Sequence, residues 1–236
     1  MIPAVTEVLV IGGGNAGLCA AITARQSGAR VVLLEKGDQV LRGGNTRHTR
    51  NLRVMHNQPL FHLAGIYSEK EYWQDLFQVT GGKTNETLAR LMINRTEELL
   101  TWLKKIGVHY QPALSGTLGL KQTNAFFLGG GKALVNTQYR VAERLGIDII
   151  YNADVRDLEL SGYNFVAASG NIGDRPFRIS ADAVIISSGG FQANSEWMKD
   201  IWGEASNNFL IRGTPKNTGL PLKSLINQGV NTVSDA

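Results

Sequence analysis

Cysteine is nearly absent from this sequence: among 236 residues Cys19 is the only one. A single thiol excludes an intramolecular disulfide and a thiolate metal cluster. Cys19 lies among Gly17, Leu18, Ala20 and Ala21 and reads as a small, inert, buried side chain. No run of about twenty apolar residues occurs, so no segment is read as inserting into a membrane. The start, MIPAVTEVLVIGGG, has neither a basic leader nor a cleavage pattern, which argues against a secretory signal and makes a cytoplasmic protein the expectation. No Lys/Arg-rich helix or aromatic-interleaved basic strip is present, so nucleic acid is not an expected partner. His56, His62 and His109 show no ligand spacing with cysteine or carboxylate, and no metal site is expected. Internal repeats and low-complexity tracts are also missing.

What is present points to a globular α/β chain. Hydrophobic residues make up 43% and charged residues 19%, enough for a sizeable core and against wholesale disorder. The net charge is +4, with basic residues scattered except in one stretch, RGGNTRHTRNLR, at 42–53. Residues 6–11 (TEVLVI) read as a buried strand, 15–27 as an Ala-rich helix stopped by Gly28, and 30–35 (RVVLLE) as a second strand. Strand, helix and strand over residues 6–35 form a βαβ unit with a parallel pair.

A helical segment is expected over about 68–106. Ser68 and Glu71 form a capping box, and a longer helix over about 84–106 carries Leu88, Leu91, Met92, Leu99, Leu100 and Leu103 on one apolar face, ended at Gly107. Residues 111–131 read as loop, and a helix follows from about Lys132 to Leu145. Short strands come next: DIIYN, then a β-meander over about 154–180 with Ser161-Gly162 as its hairpin signal, then AVIIS as a separate buried strand. Asn194 is placed to cap a helix running to Trp202.

Gly12 to Gly17 (GGGNAG) fits G-x-G-x-x-G, a weak pattern alone. Here it joins a strand to a helix, and Glu35 ends the next strand 23 residues after Gly12, so both contextual requirements are met. Gly12 permits the tight turn, Gly14 lets backbone approach a pyrophosphate, and Gly17 lets helix and strand pack closely. The free N–H groups of Asn15 and Ala16 at the helix start face the phosphates. The Glu35 carboxylate suits ribose hydroxyls and would repel a 2′-phosphate, which counts against NADP. FAD and NAD share this fingerprint.

Four further blocks occur in order: Glu35-Lys36, Gly43-Gly44-Asn45-Thr46, Gly129 to Leu134 (GGGKAL), and Ser188-Gly189-Gly190-Phe191. Their order and context resemble the fumarate reductase/succinate dehydrogenase flavoprotein family. RGGNTRHTRNLR, EYWQDLFQVTGG, TNAFFLGGGKALVN and NFLIRGT are similar to its FAD-dependent tricarballylate dehydrogenases. The resemblance covers essentially the whole chain. It implies a Rossmann-like FAD-binding domain with a parallel sheet, a small antiparallel β-meander and a helical insertion, and FAD rather than NAD. It puts Gly43, Gly44, Asn45 and Thr46 against the flavin side of the cofactor and the helix start with Gly130 and Gly131 near its phosphates. It puts Val155 by the adenine, and Ser188, Gly189 and Gly190 beside the dinucleotide.

The basic stretch offers four roles for His48: covalent tether, base, anion binder or solvated loop residue. In this family a tethering histidine immediately precedes a threonine, and the GGNT register puts Asn45, an amide, at that position. Noncovalent FAD is therefore expected. A substrate with three carboxylates needs several positive or hydrogen-bonding partners, and arginine binds carboxylates bidentately. His48, Arg50 and Arg212 are the candidates; Arg47 and Arg53 are left to protein acids or water.

The family chemistry is hydride transfer between flavin N5 and a carbon next to a carboxylate. For tricarballylate it gives a cis-aconitate-type alkene, and a membrane-associated iron–sulfur protein is the implied electron acceptor. Family members are much longer than this chain. The resemblance expects the capping domain, the C-terminal FAD segment and the catalytic residues outside residues 1–236, and so a chain inactive alone. Alternatives are a fumarate reductase-like enzyme, the flavoprotein portion of a precorrin-3B synthase, and a non-catalytic nucleotide-binding fragment. An NAD-only dehydrogenase leaves the RGGNT and SSGGF blocks unexplained.

Overall fold

The computed structural model describes residues 3–113 and 119–232. In chain order these form β1 (Val5–Ile11), α1 (Asn15–Gln26), β2 (Val31–Leu34), β3 (Asn51–Arg53), α2 (Glu69–Val79), α3 (Glu86–Lys105), α4 (Leu120–Thr123) and β4 (Asn124–Phe126). There follow α5 (Gly130–Arg144), β5 (Asp148–Ile150), β6 (Ala153–Ser161), β7 (Asn164–Ile172), β8 (Arg175–Ile186), α6 (Ser195–Trp202) and α7 (Leu220–Asn227). The chain divides into two compact units, residues 1–47 with 138–236, and residues 48–137.

The first unit is built on one six-stranded sheet in the order β5-β2-β1-β8-β7-β6. β1 runs parallel to both β2 and β8, and β2 runs parallel to β5. All four residues of β2 are buried, the continuous apolar run that a parallel strand covered on both faces requires. Leu9, Leu34, Leu158 and Ile179 are at most 2% exposed and centre its core.

The meander and the last parallel strand are not separate. FRIS and the AVII of AVIIS lie in one twelve-residue strand, β8. Its first half pairs antiparallel with β7 and its second half parallel with β1, and Ser180 has partners on both sides. Asp182 and Ala183 are exposed positions of a continuous strand, so the second segment is neither separate nor buried throughout. The hairpin turn also shifts: Ser161 pairs with Asn164, so Gly162 and Tyr163 are its central residues.

In the second unit the capping box is realised. Ser68 Oγ accepts the Glu71 N–H, and the Glu71 carboxylate accepts the Ser68 N–H at 2.8 Å. Two expectations change. Within 111–131, expected as loop, Asn124–Phe126 forms β4 antiparallel to β3, and Tyr110 bridges Phe127; residues 114–118 lie outside the described residues. That pairing joins segments about seventy positions apart, which no local pattern reveals.

The apolar face of α3 is also different. Ala89, Ile93, Thr96, Leu100 and Leu103 are buried, whereas Leu88, Leu91 and Met92 are 62%, 56% and 44% exposed. Two apolar stripes compete on this helix, and the one containing a polar residue is inside. Thr96 is satisfied there, donating to the Ile93 carbonyl at 2.7 Å and accepting the Met55 N–H at 2.9 Å.

On α1, Cys19 accepts from Gln138 Nε2 at 3.3 Å and donates weakly to Asn15 Oδ1 at 3.7 Å. Burial pushes its thiol pKa up to about 11. Among the described residues no helix is long and apolar enough to cross a membrane, and no three His, Cys, Asp or Glu residues gather as a metal set.

Two measurements check these assignments. Ile93→Ala is expected to cost about 2–5 kcal/mol and Leu91→Ala less than about 0.5 kcal/mol in denaturant unfolding; equal costs would refute the buried stripe. A raised acid pKa means that the thiol stays protonated in the fold where the unfolded thiol ionises, so its contribution is full below about pH 9 and is lost as pH climbs to about 11. Native alkylation by iodoacetamide should therefore inflect near pH 11, and an inflection at the free-thiol value would contradict this burial.

Candidate functional site: a cleft at the strand ends of the parallel sheet

The C-terminal ends of β1, β2 and β8 open onto a cleft of about 340 Å³, toward the lower end of the roughly 300–1,000 Å³ usual for ligand sites. Such a crevice outside the carboxyl ends of parallel strands is where open α/β sheets bind ligands.

The loop from β1 to α1 forms its floor. Gly12 has φ of +102°, and a Cβ there would lie 2.3 Å from the Ser187 carbonyl oxygen at the end of β8. A Cβ on Gly17 would lie 1.8 Å from the Gly12 carbonyl oxygen, so helix and turn approach too closely for any side chain. Gly14 is different: the nearest atom to its Cβ position is Thr46 Oγ1 at 3.4 Å, and its backbone borders the cleft. The first N–H of α1, from Asn15, is taken by Thr46 Oγ1 at 2.9 Å. The N–H groups of Gly14 and Ala16 have no backbone partner among the described residues. Asn15 Oδ1 is turned inward to Gln138 Nε2 at 2.8 Å.

Glu35, at the end of β2, is 5% exposed. Its Oε2 accepts from the Gly13 N–H at 3.0 Å, the Gly43 N–H at 3.4 Å and the Tyr139 hydroxyl at 3.3 Å. Its Oε1 accepts the Gly37 N–H at 2.6 Å. The carboxylate borders the cleft and pins three loops, a structural duty that the motif alone did not reveal. Lys36 donates to Thr218 Oγ1 at 2.7 Å and pairs with Asp154 at 2.8 Å.

The other walls come from separate elements. Gly44, Asn45 and Thr46 contribute a 3-10 turn spanning Gly44–His48, Val155 comes from β6, and Ser188, Gly189 and Gly190 follow β8. Asn45 Oδ1 accepts the Thr214 N–H at 2.8 Å, tying this turn to the 213–214 loop.

Thirteen of the expected cofactor positions thus line one cleft: Gly12, Gly14, Asn15, Ala16, Glu35, Lys36, Gly44, Asn45, Thr46, Val155, Ser188, Gly189 and Gly190. Gly17 and Gly43 stand behind its walls, Gly17 as a packing contact and Gly43 through Glu35. Gly130 and Gly131 belong to the second unit, where the Gly131 N–H donates to the Thr49 carbonyl at 2.8 Å.

Sequence reasoning missed the run Lys216, Asn217, Thr218 and Gly219, which closes one side of the cleft. Its signal was available in the Thr-Gly pair before an apolar helix, but the pair has no motif of its own. Asn217 is buried and its amide abuts Gly189.

The arginines of the basic stretch separate. Arg42 lies with its guanidinium carbon 4.2 Å from the Tyr139 ring centroid and donates to the Tyr151 hydroxyl at 2.6 Å. Arg47 donates to the Val40 carbonyl at 2.8 Å, and Arg53 pairs with Asp75 at 2.8 Å beside Tyr67 and Tyr72. His48 and Arg50, in the second unit, and Arg212, in the first, are exposed and have no ion-pair partner among the described residues. Arg212 does not line the cleft.

The residues present suit a dinucleotide. Free N–H groups at a helix start suit a pyrophosphate, the side-chain-free surface of Gly14 allows close approach, and Ala153 and Val155 offer an apolar wall for a planar base.

A family model described as an FAD binding domain matches residues 7–236. The NADH:fumarate oxidoreductase of Klebsiella pneumoniae (strain 342) is 27% identical over 195 residues, 80% of this chain and 21% of that protein. The probable fumarate reductase Ifc3 of Shewanella frigidimarina is 26% identical over 224 residues, 88% of this chain and 37% of that protein. Among solved structures, the 3-ketosteroid-delta4-(5alpha)-dehydrogenase from Rhodococcus jostii RHA1 superposes with a TM-score of 0.82 at 18% identity, over 98% of this chain and 55% of that one. The chain thus spans about half or less of the length of each of these proteins. It belongs to the FAD-binding domain family.

Proposed function

We propose that this chain is the cofactor-holding part of an FAD-dependent oxidoreductase acting on a CH–CH bond next to a carboxylate, with tricarballylate as substrate. The observation that carries the cofactor side is the convergence of the glycine loop, Glu35, the 44–46 turn and the 188–190 loop on one cleft. Bound FAD supplies the two-electron hydride chemistry. The chain's own residues bind and orient it. Gly14 and Ala16 donate to the pyrophosphate, and the remaining acceptor capacity of Glu35 Oε1 meets the ribose. Val155 lies against the adenine, and the turn over Gly43 to Thr46 faces the flavin side. Asn45 holds Thr214 through its amide and has no nucleophilic nitrogen for a flavin link, so the cofactor is noncovalent.

The substrate side rests on charge and on the resemblance of the RGGNTRHTRNLR and NFLIRGT blocks. Arg50 and Arg212 are exposed cations and His48 an exposed hydrogen-bonding side chain, none with an ion-pair partner among the described residues, so no internal carboxylate competes with a substrate carboxylate. A second reading, a fumarate reductase-like enzyme, is favoured by the relatives whose names specify fumarate. Both readings share the dicarboxylate core of the substrate. A membrane-associated iron–sulfur protein is the proposed electron partner.

The purified chain is expected to be yellow and to release its flavin into the supernatant on acid precipitation. Colourless protein that takes up no added FAD, or flavin retained in the precipitate, would sink the noncovalent-FAD reading. Tricarballylate is expected to perturb the bound flavin spectrum under anaerobic conditions at lower concentration than fumarate; the reverse order selects the second reading. Arg50→Ala and Arg212→Ala should each raise the half-saturating concentration roughly ten-fold, the scale of one lost charge-assisted hydrogen bond.

A further inference from the structure

Tyr139 of α5 is fully buried, and its hydroxyl reaches the second glycine of the β1–α1 loop. That oxygen is 3.1 Å from the Gly13 carbonyl oxygen and 3.3 Å from Glu35 Oε2, two acceptors for a single proton. A Cβ on residue 13 would stand 1.9 Å from the hydroxyl and 2.6 Å from Glu35 Oε2. The G-x-G-x-x-G pattern leaves this position open. Here two side chains, Glu35 and a tyrosine 126 positions away, restrict it to glycine.

Gly13 is therefore gripped on both sides. Its N–H donates to Glu35 Oε2 at 3.0 Å, and its carbonyl accepts from Tyr139. No cis peptide occurs among the described residues, and across a trans peptide the C=O and the following N–H point in opposite directions. Drawing the Gly13 carbonyl toward α5 turns the Gly14 N–H the other way. Gly14 borders the cleft, and its N–H has no backbone partner among the described residues.

The tyrosine ring is itself fixed. Arg42 lies over its face, donates to the Tyr151 hydroxyl and pairs with Glu143 at 3.5 Å. Burial first, and then the Glu35 charge, hold the Tyr139 pKa far above its ordinary value, so the hydroxyl keeps its proton and remains a donor.

We propose that Tyr139 is a positioning residue for dinucleotide binding: by holding the Gly13 carbonyl and Glu35 Oε2 it aims the Gly14 N–H at the cofactor's pyrophosphate. This deepens the FAD reading and rests on it. Gly13 is then the matching half of the device, glycine because the hydroxyl and the Glu35 carboxylate occupy its side-chain space.

Titration of the 236-residue chain, freed of flavin, with FAD and with ADP tests the assignment. Tyr139→Phe keeps the ring under Arg42 and removes only the hydroxyl. It is expected to raise both dissociation constants about ten-fold, which is about 1.4 kcal/mol, with little change in the unfolding temperature of the ligand-free protein. Gly13→Ala should lose most ADP binding, and adding Tyr139→Phe to it should restore part of that loss by removing the 1.9 Å contact, the 2.6 Å approach to Glu35 Oε2 remaining. Unchanged dissociation constants in Tyr139→Phe overturn the proposal, as does an equal Gly13→Ala penalty in both backgrounds. A lowered unfolding temperature with unchanged binding assigns Tyr139 to stability alone and overturns it too. A wild-type chain that binds neither FAD nor ADP sinks the FAD reading itself, an outcome that does not involve residue 139.

Discussion

The buried carboxylate of Glu35 is the constraint on which the cleft depends. A charge removed from water must be matched by hydrogen bonds, and here four donors meet it: the N–H groups of Gly13, Gly37 and Gly43 and the Tyr139 hydroxyl. Those donors come from the loop after β1, the turn after β2, the glycine pair of the basic stretch, and α5. One side chain thus ties four segments to the end of one strand. The geometry of the glycine loop follows from that bond set together with the close approach of Gly17 to Gly12.

A second constraint is the shared strand β8. It completes the parallel layer beside β1 and also closes the antiparallel meander through β7, so the two sheets of the expected architecture are one. Because β8 ends at Ile186, the loop carrying Ser188, Gly189 and Gly190 emerges beside the β1 turn. The continuity of one strand places two glycine-rich loops on the same cleft. The run from Lys216 to Gly219 then joins through Lys36 and Asn217.

The basic stretch shows how charge that looks alike in sequence divides by environment. Arg42 is absorbed by aromatic rings and Glu143, Arg47 by a carbonyl of its own loop, and Arg53 by Asp75 and two tyrosines. His48 and Arg50 remain exposed. Guanidinium groups stacked on rings or bound to internal acceptors are spent on structure. Only the exposed cations stay available to an outside anion.

The sequence by itself determined the βαβ unit, the Ser68–Glu71 capping box, the Asn194 cap, and most positions that line the cleft. These depend on local rules: a buried apolar run, a glycine spacing, a side chain within reach of its own helix start. Thr46 capping α1 across 31 positions, the β3–β4 pairing, the buried stripe of α3 and the continuity of β8 were decided by tertiary structure. Each needs a partner far away in the chain, so no window of neighbouring residues contains it. Position 13 marks the border between the two. Its glycine fits the motif in the sequence, but the reasons it must be glycine are the Tyr139 hydroxyl and the Glu35 carboxylate, and only the folded chain brings those oxygens to it.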